Sequence, residues 1–187
     1  IELPYDAFDE AMRFAARVRR RVFESVGLTV SAGVASGKMI AKIASDSCKP
    51  DGLLGIPFGD EATFLAPLPV GRLWGIGPKT QAKISRYGIA TIGDVAALDE
   101  AALHELFGSW GEQVGDLARG VDRRRVDPER ETKSISSEET FEYDVRDEKP
   151  MIDALREQTR DVVRKLEREA LYAQTVGVKI KLRDFTT

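Results

Sequence analysis

The sequence has very little cysteine and histidine, with one of each among 187 residues. Because Cys48 has no second cysteine to pair with, an intramolecular disulfide is excluded, and a lone thiol fits a reducing compartment. His104 has no second histidine or cysteine with which to build a metal site. No apolar run approaches the roughly 20 residues that span a bilayer, so we expect a cytoplasmic protein with no membrane partner.

The chain also lacks an excess of positive charge. It carries 28 Lys and Arg against 31 Asp and Glu, a net charge of −3, and none of the segments 1–60, 61–133 and 134–187 is basic overall. A nucleic-acid partner would therefore have to be held by locally placed groups. No Walker loop, G-x-S-x-G turn or C-x-x-C pair occurs, which argues against those classes of site.

The first 57 residues show a mixed α/β pattern. Apolar residues recur at helical spacing in two stretches, and a period of two marks two short strands. The predicted elements are a helix over 5–26, a strand over 28–35, a helix over 36–49 and, over 50–56, a turn into another short strand. Because two strands make a poor independent sheet, we expect this part to belong to something larger.

From about Glu61 the pattern changes to short helices separated by glycines, which predicts a compact all-α module. The predicted helices cover 61–66, 69–74, 78–87, 92–97, 99–107 and 110–119. Thr91, followed three residues later by Asp94, and Asp99 are predicted N-caps. The densely charged stretch after the module is typical of a linker.

The remaining residues predict a second α/β unit. Strand-like alternation covers 134–143, an amphipathic helix covers 151–170, and a strong strand pattern covers 175–185. Because one helix and two strands do not complete a sheet, we expect this unit to be partial as well.

The stretch LWGIGPKT, residues 73–80, predicts a hairpin between two helices. Gly77 is expected to adopt backbone angles closed to other residues, while Gly75 allows a tight reversal. Pro78 suits the first turn of the next helix, and Ile76 is placed to be buried between the two helices.

We expect the backbone N–H groups around residues 76 to 80 to point outward unpaired at a helix N-terminus, where they suit a phosphate oxygen. Lys79 adds a positive charge and Thr80 a hydroxyl. The pattern resembles the helix-hairpin-helix motif that binds the DNA backbone. A plain interhelical turn is the alternative interpretation. FGSWGEQV, residues 107–114, is a candidate second half-copy.

Lys38, Lys42, Ser45 and Lys49 recur at intervals of four, three and four, which places them on one helix face. Because like charges at this spacing slightly destabilise a helix, a facing polyanion would remove a penalty. Lys38 and Lys42 are therefore candidates for facing a polyanion. An ordinary solvated face is the alternative interpretation.

Three strings, VSAGVASGKMIAKIASDSCKPDG (30–52), GIGPKT (75–80) and KSISSEETF (133–141), together resemble the Y-family of translesion DNA polymerases, closest to the DNA polymerase IV branch in bacteria. The resemblance covers essentially the whole chain and implies an α+β multi-domain fold. The implied domains are the C-terminal part of the palm (1–57), an all-α helix-hairpin-helix thumb (58–121), a linker (122–132) and the N-terminal part of an α/β little finger (133–187).

The resemblance also implies template-directed nucleotidyl transfer past damaged bases, using two Mg²⁺ ions. The implied partners are primer–template duplex DNA, a deoxynucleoside triphosphate and, for the parent protein, a sliding clamp. Lys49 is implied to contact the triphosphate. The residues implied to bind DNA are Gly75, Ile76, Gly77, Lys79 and Thr80 in the thumb, and Lys133, Ser134 and Ser136 in the little finger.

The chain departs from the family in two respects. The family's metal-binding carboxylates lie in an early strand and a Ser-x-Asp-Glu hairpin, and neither that motif nor the fingers occurs here. Asp6, Asp9 and Glu10 are interpreted as acids of a helix N-terminus, so no catalytic or metal-binding residue is assigned and the chain alone is predicted inactive. A non-catalytic helix-hairpin-helix DNA-binding protein and a polymerase-like accessory protein stay open.

Overall fold

The computed structural model describes residues 7–127, 132–184 and 186. The chain divides into two compact units, Ile1–Asp127 and Pro128–Thr187. The segments predicted as palm and thumb both lie in the first unit. No helix in the described ranges combines the length and the hydropathy needed to cross a membrane.

The first unit opens with a small parallel α/β layer. Its elements are α1 (Phe8–Val26), β1 (Ala32–Val34), α2 (Lys38–Ser47) and β2 (Leu53–Gly55). The two strands pair in parallel, with Ala32 opposite Leu53, so α2 is the crossover that parallel pairing requires. The predicted order is confirmed, with shorter strands than expected. Asp9 and Glu10 lie in the first turn of α1, whereas Asp6 lies outside the described residues.

The layer is held together by close packing of β1 on α2. A Cβ atom added to Gly33 would lie 1.9 Å from the carbonyl oxygen of Ala41, so only glycine allows this approach. The helix buries its apolar side, namely Met39, Ile40, Ile43 and Ala44. Burial of this side leaves the lysines of α2 facing outward.

The helical module follows in the same unit. It contains α3 (Glu61–Leu65), α4 (Pro78–Ile84), α5 (Ile92–Ala96), α6 (Glu100–Phe107), α7 (Gly111–Ala118) and 3₁₀ turns at Val70–Arg72, Ser85–Tyr87 and Gly108–Trp110. Both predicted caps are confirmed, because Thr91 and Asp94 form a reciprocal capping box and Asp99 accepts from the N–H of Ala102. The stretch predicted as helix 69–74 forms only a 3₁₀ turn.

One continuous apolar cluster connects the two parts of the first unit. It runs from the buried face of α2 to fully buried side chains of the helical module, which include Leu65, Leu73, Ile84, Ile92 and Leu103. Truncating one such side chain to alanine typically costs about 2–5 kcal/mol, so this cluster is the main stabilising element of the unit.

The described residues of the second unit contain one long helix, α8 (Glu148–Glu169), close to its predicted range. The predicted strands over 134–143 and 175–185 are wrong for the described residues, in which neither stretch forms a strand. The apolar side chains of Val176, Val178, Ile180 and Leu182 are all exposed. Alternation predicts only which face a strand would bury, whereas a strand forms only when another backbone pairs with it.

Candidate nucleic-acid interface

The bend at residues 73–80 is anchored by two buried side chains. Leu73 is 1% exposed and Ile76 is 4% exposed, so the predicted burial of Ile76 is confirmed. The N–H of Ile76 donates to the carbonyl of Leu73 at 3.1 Å, and Gln81 Nε2 donates to the carbonyl of Ile76 at 3.4 Å. These contacts fix the bend on the apolar cluster and leave its outer edge exposed.

The structure agrees with the expected tight reversal at Gly75 but not with the special backbone angles expected at Gly77. Gly75 has a φ of 89°, and a Cβ there would lie 1.8 Å from the indole of Trp110. Gly77 has a φ of −84° and a ψ of 175°, which any residue adopts, and a Cβ there meets nothing within 4 Å. Gly75 is therefore the residue that the fold constrains, and the prediction of special backbone angles at Gly77 is wrong.

Several backbone donors remain at the start of α4. The N–H groups of Gly77, Lys79 and Thr80 donate to no acceptor within the described residues, and the first helical bond is from Gln81 to Gly77 at 3.0 Å. The prediction needs one correction, because the N–H of Ile76 is engaged internally. Open N–H groups at a helix start attract anions.

The second glycine-containing bend, which includes the 3₁₀ turn Gly108–Trp110 and the start of α7, lies against the first. The rings of Trp74 and Trp110 meet edge to face, with centroids 6.3 Å apart and an interplanar angle of 71°. Trp110 Nε1 donates to Gln113 Oε1 at 2.8 Å. The structure thus brings the candidate half-copy beside the first bend, although its role as a second phosphate site stays a prediction.

The lysines on and just after α2 do not form the open stripe that their spacing indicates. Lys42 Nζ and Lys49 Nζ each lie 2.6 Å from a different oxygen of Asp46. Hydrogen bonds from Lys42 and then from Lys49 lower the pKa of Asp46 to about 2. Ser45 does not belong to the same surface as these lysines, because its hydroxyl donates to the carbonyl of Ser31 at 3.2 Å.

Lys38 likewise has a partner, because its Nζ donates to the carbonyl of Arg125 at 2.9 Å. The stretch predicted to be a linker is therefore docked on the first unit through residue 125. Close to the start of α2 lies Glu61, a carboxylate that is only 7% exposed. It accepts hydrogen bonds from Ser36 Oγ at 2.5 Å and from the N–H of Gly59 at 2.7 Å. Sequence reasoning missed Glu61 because a glutamate at a helix start is normally exposed.

In the second unit, the three predicted site residues Lys133, Ser134 and Ser136 are exposed. The carbonyl of Ser136 accepts from Lys165 Nζ of α8 at 3.2 Å. The neighbouring Ser137 is half-buried and hydrogen-bonds to Asp161 of α8, which contributes to the lowered pKa of that carboxyl after the larger effect of Lys165. The assignment of these residues to DNA binding stays a prediction.

A metal site does not emerge from the side chains present. In residues 7–127, 132–184 and 186, no three acidic, His or Cys side chains lie close enough together to hold a metal ion. Mg²⁺ prefers carboxylate oxygens in octahedral geometry, so the described residues do not fit a two-Mg²⁺ centre.

Comparison with protein families gives three matches in chain order. The impB/mucB/samB family matches residues 4–46, the IMS family HHH motif matches residues 59–89, and the impB/mucB/samB family C-terminal domain matches residues 132–187. The bend described above lies inside the second match.

Curated relatives and solved structures agree with these matches. The DNA polymerase IV of Methanoculleus marisnigri is 44% identical over 181 residues, covering 97% of this chain, and that of Halorhodospira halophila is 42% identical over 175 residues, covering 94%. A Y-family DNA polymerase chimera, Dbh-Dpo4(243-245)-Dbh, is similar in structure, with a TM-score of 0.67 and 26% identity over 84% of this chain. The chain belongs to the Y-family of DNA polymerases.

This Y-family chain spans about half the length of the curated relatives it matches, 50% and 49% for the two named above. It also covers 46% of the chimera. A second Y-family structure, an insertion ternary complex of Dbh DNA polymerase, is 26% identical with a TM-score of 0.59, covering 64% of this chain and 35% of that one.

Proposed function

We propose that the chain is the DNA-holding part of an error-prone, template-directed DNA polymerase, and that its bend at residues 73–80 binds a backbone phosphate of duplex DNA. The observation that carries the proposal is the group of N–H donors on Gly77, Lys79 and Thr80 that have no acceptor among the described residues, at a helix start whose first residues are exposed. Membership of the Y-family and the relatives named DNA polymerase IV support it.

Recognition through main-chain donors accounts for DNA binding by an acidic protein. The amide groups carry no formal charge, so the net charge of −3 does not count them. They contact phosphate oxygens rather than base edges, so binding is independent of sequence. Lys79 adds a cation beside them, since its side chain is exposed and forms no ion pair among the described residues.

The other assignments follow the family. We assign 1–57 to the palm, 58–121 to the thumb, 122–132 to the linker and 133–187 to the little finger. Lys49, supported by Lys42, is assigned to the triphosphate of the incoming nucleotide, which would replace Asp46 as the partner of these lysines. Lys133, Ser134 and Ser136 form a second contact to DNA.

The whole protein is proposed to act in the cytoplasm and to bind a sliding clamp. When bound, two Mg²⁺ ions would activate the attacking hydroxyl and stabilise the pyrophosphate that leaves as the nucleotide is added. Their ligands would have to come from outside the described residues.

Duplex binding at several salt concentrations tests the proposal. We expect the fluorescence anisotropy of a labelled duplex to rise on adding the chain, equally for unrelated sequences. Loss of one phosphate contact in Lys79→Gln should reduce the slope of log binding constant against log salt concentration by about 1. Arg20→Gln on α1, another exposed position with the same charge change, is the matched control. No binding at low salt, or identical slopes for the two variants, would refute the proposal.

A further inference from the structure

Helix α2 begins without a capping side chain of its own. Its N-cap residue is Gly37, and among the described residues no neighbouring side chain hydrogen-bonds to the helix start. The carboxylate of Asp122, 83 residues further along the chain, accepts from the N–H of Met39 at 3.1 Å. A Cβ on Gly37 would lie 2.9 Å from the Cβ of Asp122, so glycine leaves room for this distant cap. A carboxylate at this place also complements the helix dipole.

Arg124 holds the capping carboxylate in place. Its Nε donates to Asp122 Oδ1 at 2.7 Å and its Nη2 donates to Oδ2 at 2.9 Å, the two-pronged geometry that only a guanidinium supplies. The Asp122 side chain is 1% exposed. Burial acts to raise the pKa of Asp122, but the hydrogen bonds from Arg124 and from the Met39 N–H outweigh it and the pKa is lowered. The carboxylate therefore stays charged at the start of α2.

The guanidinium of Arg124 also contacts the bend. Its Cζ lies 4.8 Å from the centroid of the Trp74 ring, within the range of a cation–π contact. Trp74 directly precedes Gly75, and its ring meets that of Trp110 edge to face. Although 54% of Trp74 is exposed, the orientation of its indole ring is restrained by the guanidinium of Arg124 and by the ring of Trp110. A continuous series of contacts thus runs from the start of α2 to the bend.

We propose that Asp122 and Arg124 are positioning residues that fix the bend at residues 73–80 relative to α2, the helix that contains Lys42 and precedes Lys49. The inference rests on the proposed function, in which the bend binds DNA and Lys49 binds a triphosphate. Since these two contacts lie on different elements, their relative placement decides where the DNA stands with respect to the nucleotide. Small misplacements of bound groups strongly reduce reaction rates.

A spin-label distance across the junction tests the geometry directly. In a Cys48→Ser background, Ser47→Cys on α2 and Ala82→Cys on α4 give two labelled sites that are exposed. Arg124→Lys keeps a charge beside Asp122, but lysine cannot both supply the fork and cover the Trp74 ring. We expect a shifted or broadened distance distribution in Arg124→Lys, and the parental distribution would overturn the proposal.

The matched control is Arg123→Lys, the same substitution one residue earlier. Arg123 pairs with Asp116 on the surface, with a side chain that is 76% exposed, and it has no contact with Trp74 in the described structure. We expect it to leave the distance distribution unchanged. A change of equal size in both variants would mean that the linker as a whole, rather than Arg124, sets the distance, and would overturn the proposal.

A functional readout separates positioning from simple stabilisation. We expect Arg124→Lys to keep a melting temperature near that of the parent while duplex affinity falls roughly three- to thirtyfold, the size typical of coupling residues. Tryptophan emission should also shift, because Trp74 loses its stacked cation. Parental affinity and emission in Arg124→Lys would assign Arg124 to charge compensation alone and overturn the proposal.

A second variant covers the case in which Arg124→Lys does not fold, and the parent tests the proposed function separately. If Arg124→Lys does not fold, Asp122→Asn carries the same test, because it removes the charge while keeping the shape of the cap. If the parent fails to bind duplex DNA, the proposed function is refuted. The distance distribution still decides whether Asp122 and Arg124 position the bend.

Discussion

Substituting the two glycines of the bend separately should have different effects: a substitution at Gly75 should lower the stability of the fold, and one at Gly77 should lower the affinity for DNA. Gly75→Ala places a Cβ at a φ of 89° and within 1.8 Å of the Trp110 ring. The backbone conformation costs roughly 1–2 kcal/mol and the overpacking about 1–3 kcal/mol. We therefore expect the free energy of unfolding to fall by about 2–5 kcal/mol.

Gly77→Val should have the opposite effect. The φ of −84° and ψ of 175° suit a β-branched residue, and the new Cβ meets no atom within 4 Å. Loss of stability should stay at about 1 kcal/mol, the size of a poor N-cap. The side chain would stand where a phosphate approaches the free N–H groups. Losing charge-assisted hydrogen bonds costs about 1.5–3 kcal/mol, which corresponds to roughly 10- to 150-fold in duplex affinity.

Urea unfolding followed by tryptophan emission measures the stability part. Both tryptophans of the chain, Trp74 and Trp110, lie in the first unit, so the signal reports on that unit alone. Duplex anisotropy measures binding, with Gly77→Ala as a variant of intermediate size. Parental affinity in Gly77→Val would refute the assignment of the bend to phosphate binding, and parental stability in Gly75→Ala would refute the packing argument.

Two further predictions concern acid stability and catalysis. The pKa of Asp46 is lowered to about 2, so its ion pairs add stability above the unfolded pKa of about 3.9, and this contribution is lost as the pH falls towards 2. Because both lysines are exposed, it should not exceed about 1 kcal/mol. Urea unfolding at pH 5 and pH 3 should show a smaller loss in Asp46→Asn than in the parent, and equal losses would contradict the assignment. The purified chain should not extend a primer with Mg²⁺ and nucleotides, because no metal-ligand set occurs among its described residues, and extension above a no-enzyme control would contradict this.

Local signals predicted the elements of the first unit well. The capping box at Thr91, the crossover helix α2 and the burial of Ile76 each depend on residues close in sequence. The ion pairs of Asp46 could also have been predicted, because they lie at helical spacings of four and three from Lys42 and Lys49. The spacing of the lysines alone predicted an open stripe because it did not take into account Asp46, which lies between Lys42 and Lys49.

Features that depend on distant residues were not predicted. The constraint on Gly75 comes from Trp110, and the cap on α2 comes from Asp122, within a stretch whose charge density resembles a solvated linker. The alternation over 175–185 likewise predicted a strand, but no pairing backbone lies beside it in the described residues. Periodicity reports the preferred face of an element and says nothing about its partner.

The sequence by itself determined the order of the main helices of the first unit, where the glycine-containing bend lies and which protein family the strings resemble. The helix order and the bend follow from short-range sterics, capping and side-chain periodicity, whereas the family resemblance follows from the three strings themselves. Only the tertiary structure decided which glycine is constrained, which N–H groups stay open and how the bend is joined to α2. Those outcomes depend on contacts between residues far apart in the chain, and such contacts exist only once the apolar cluster has brought the elements together.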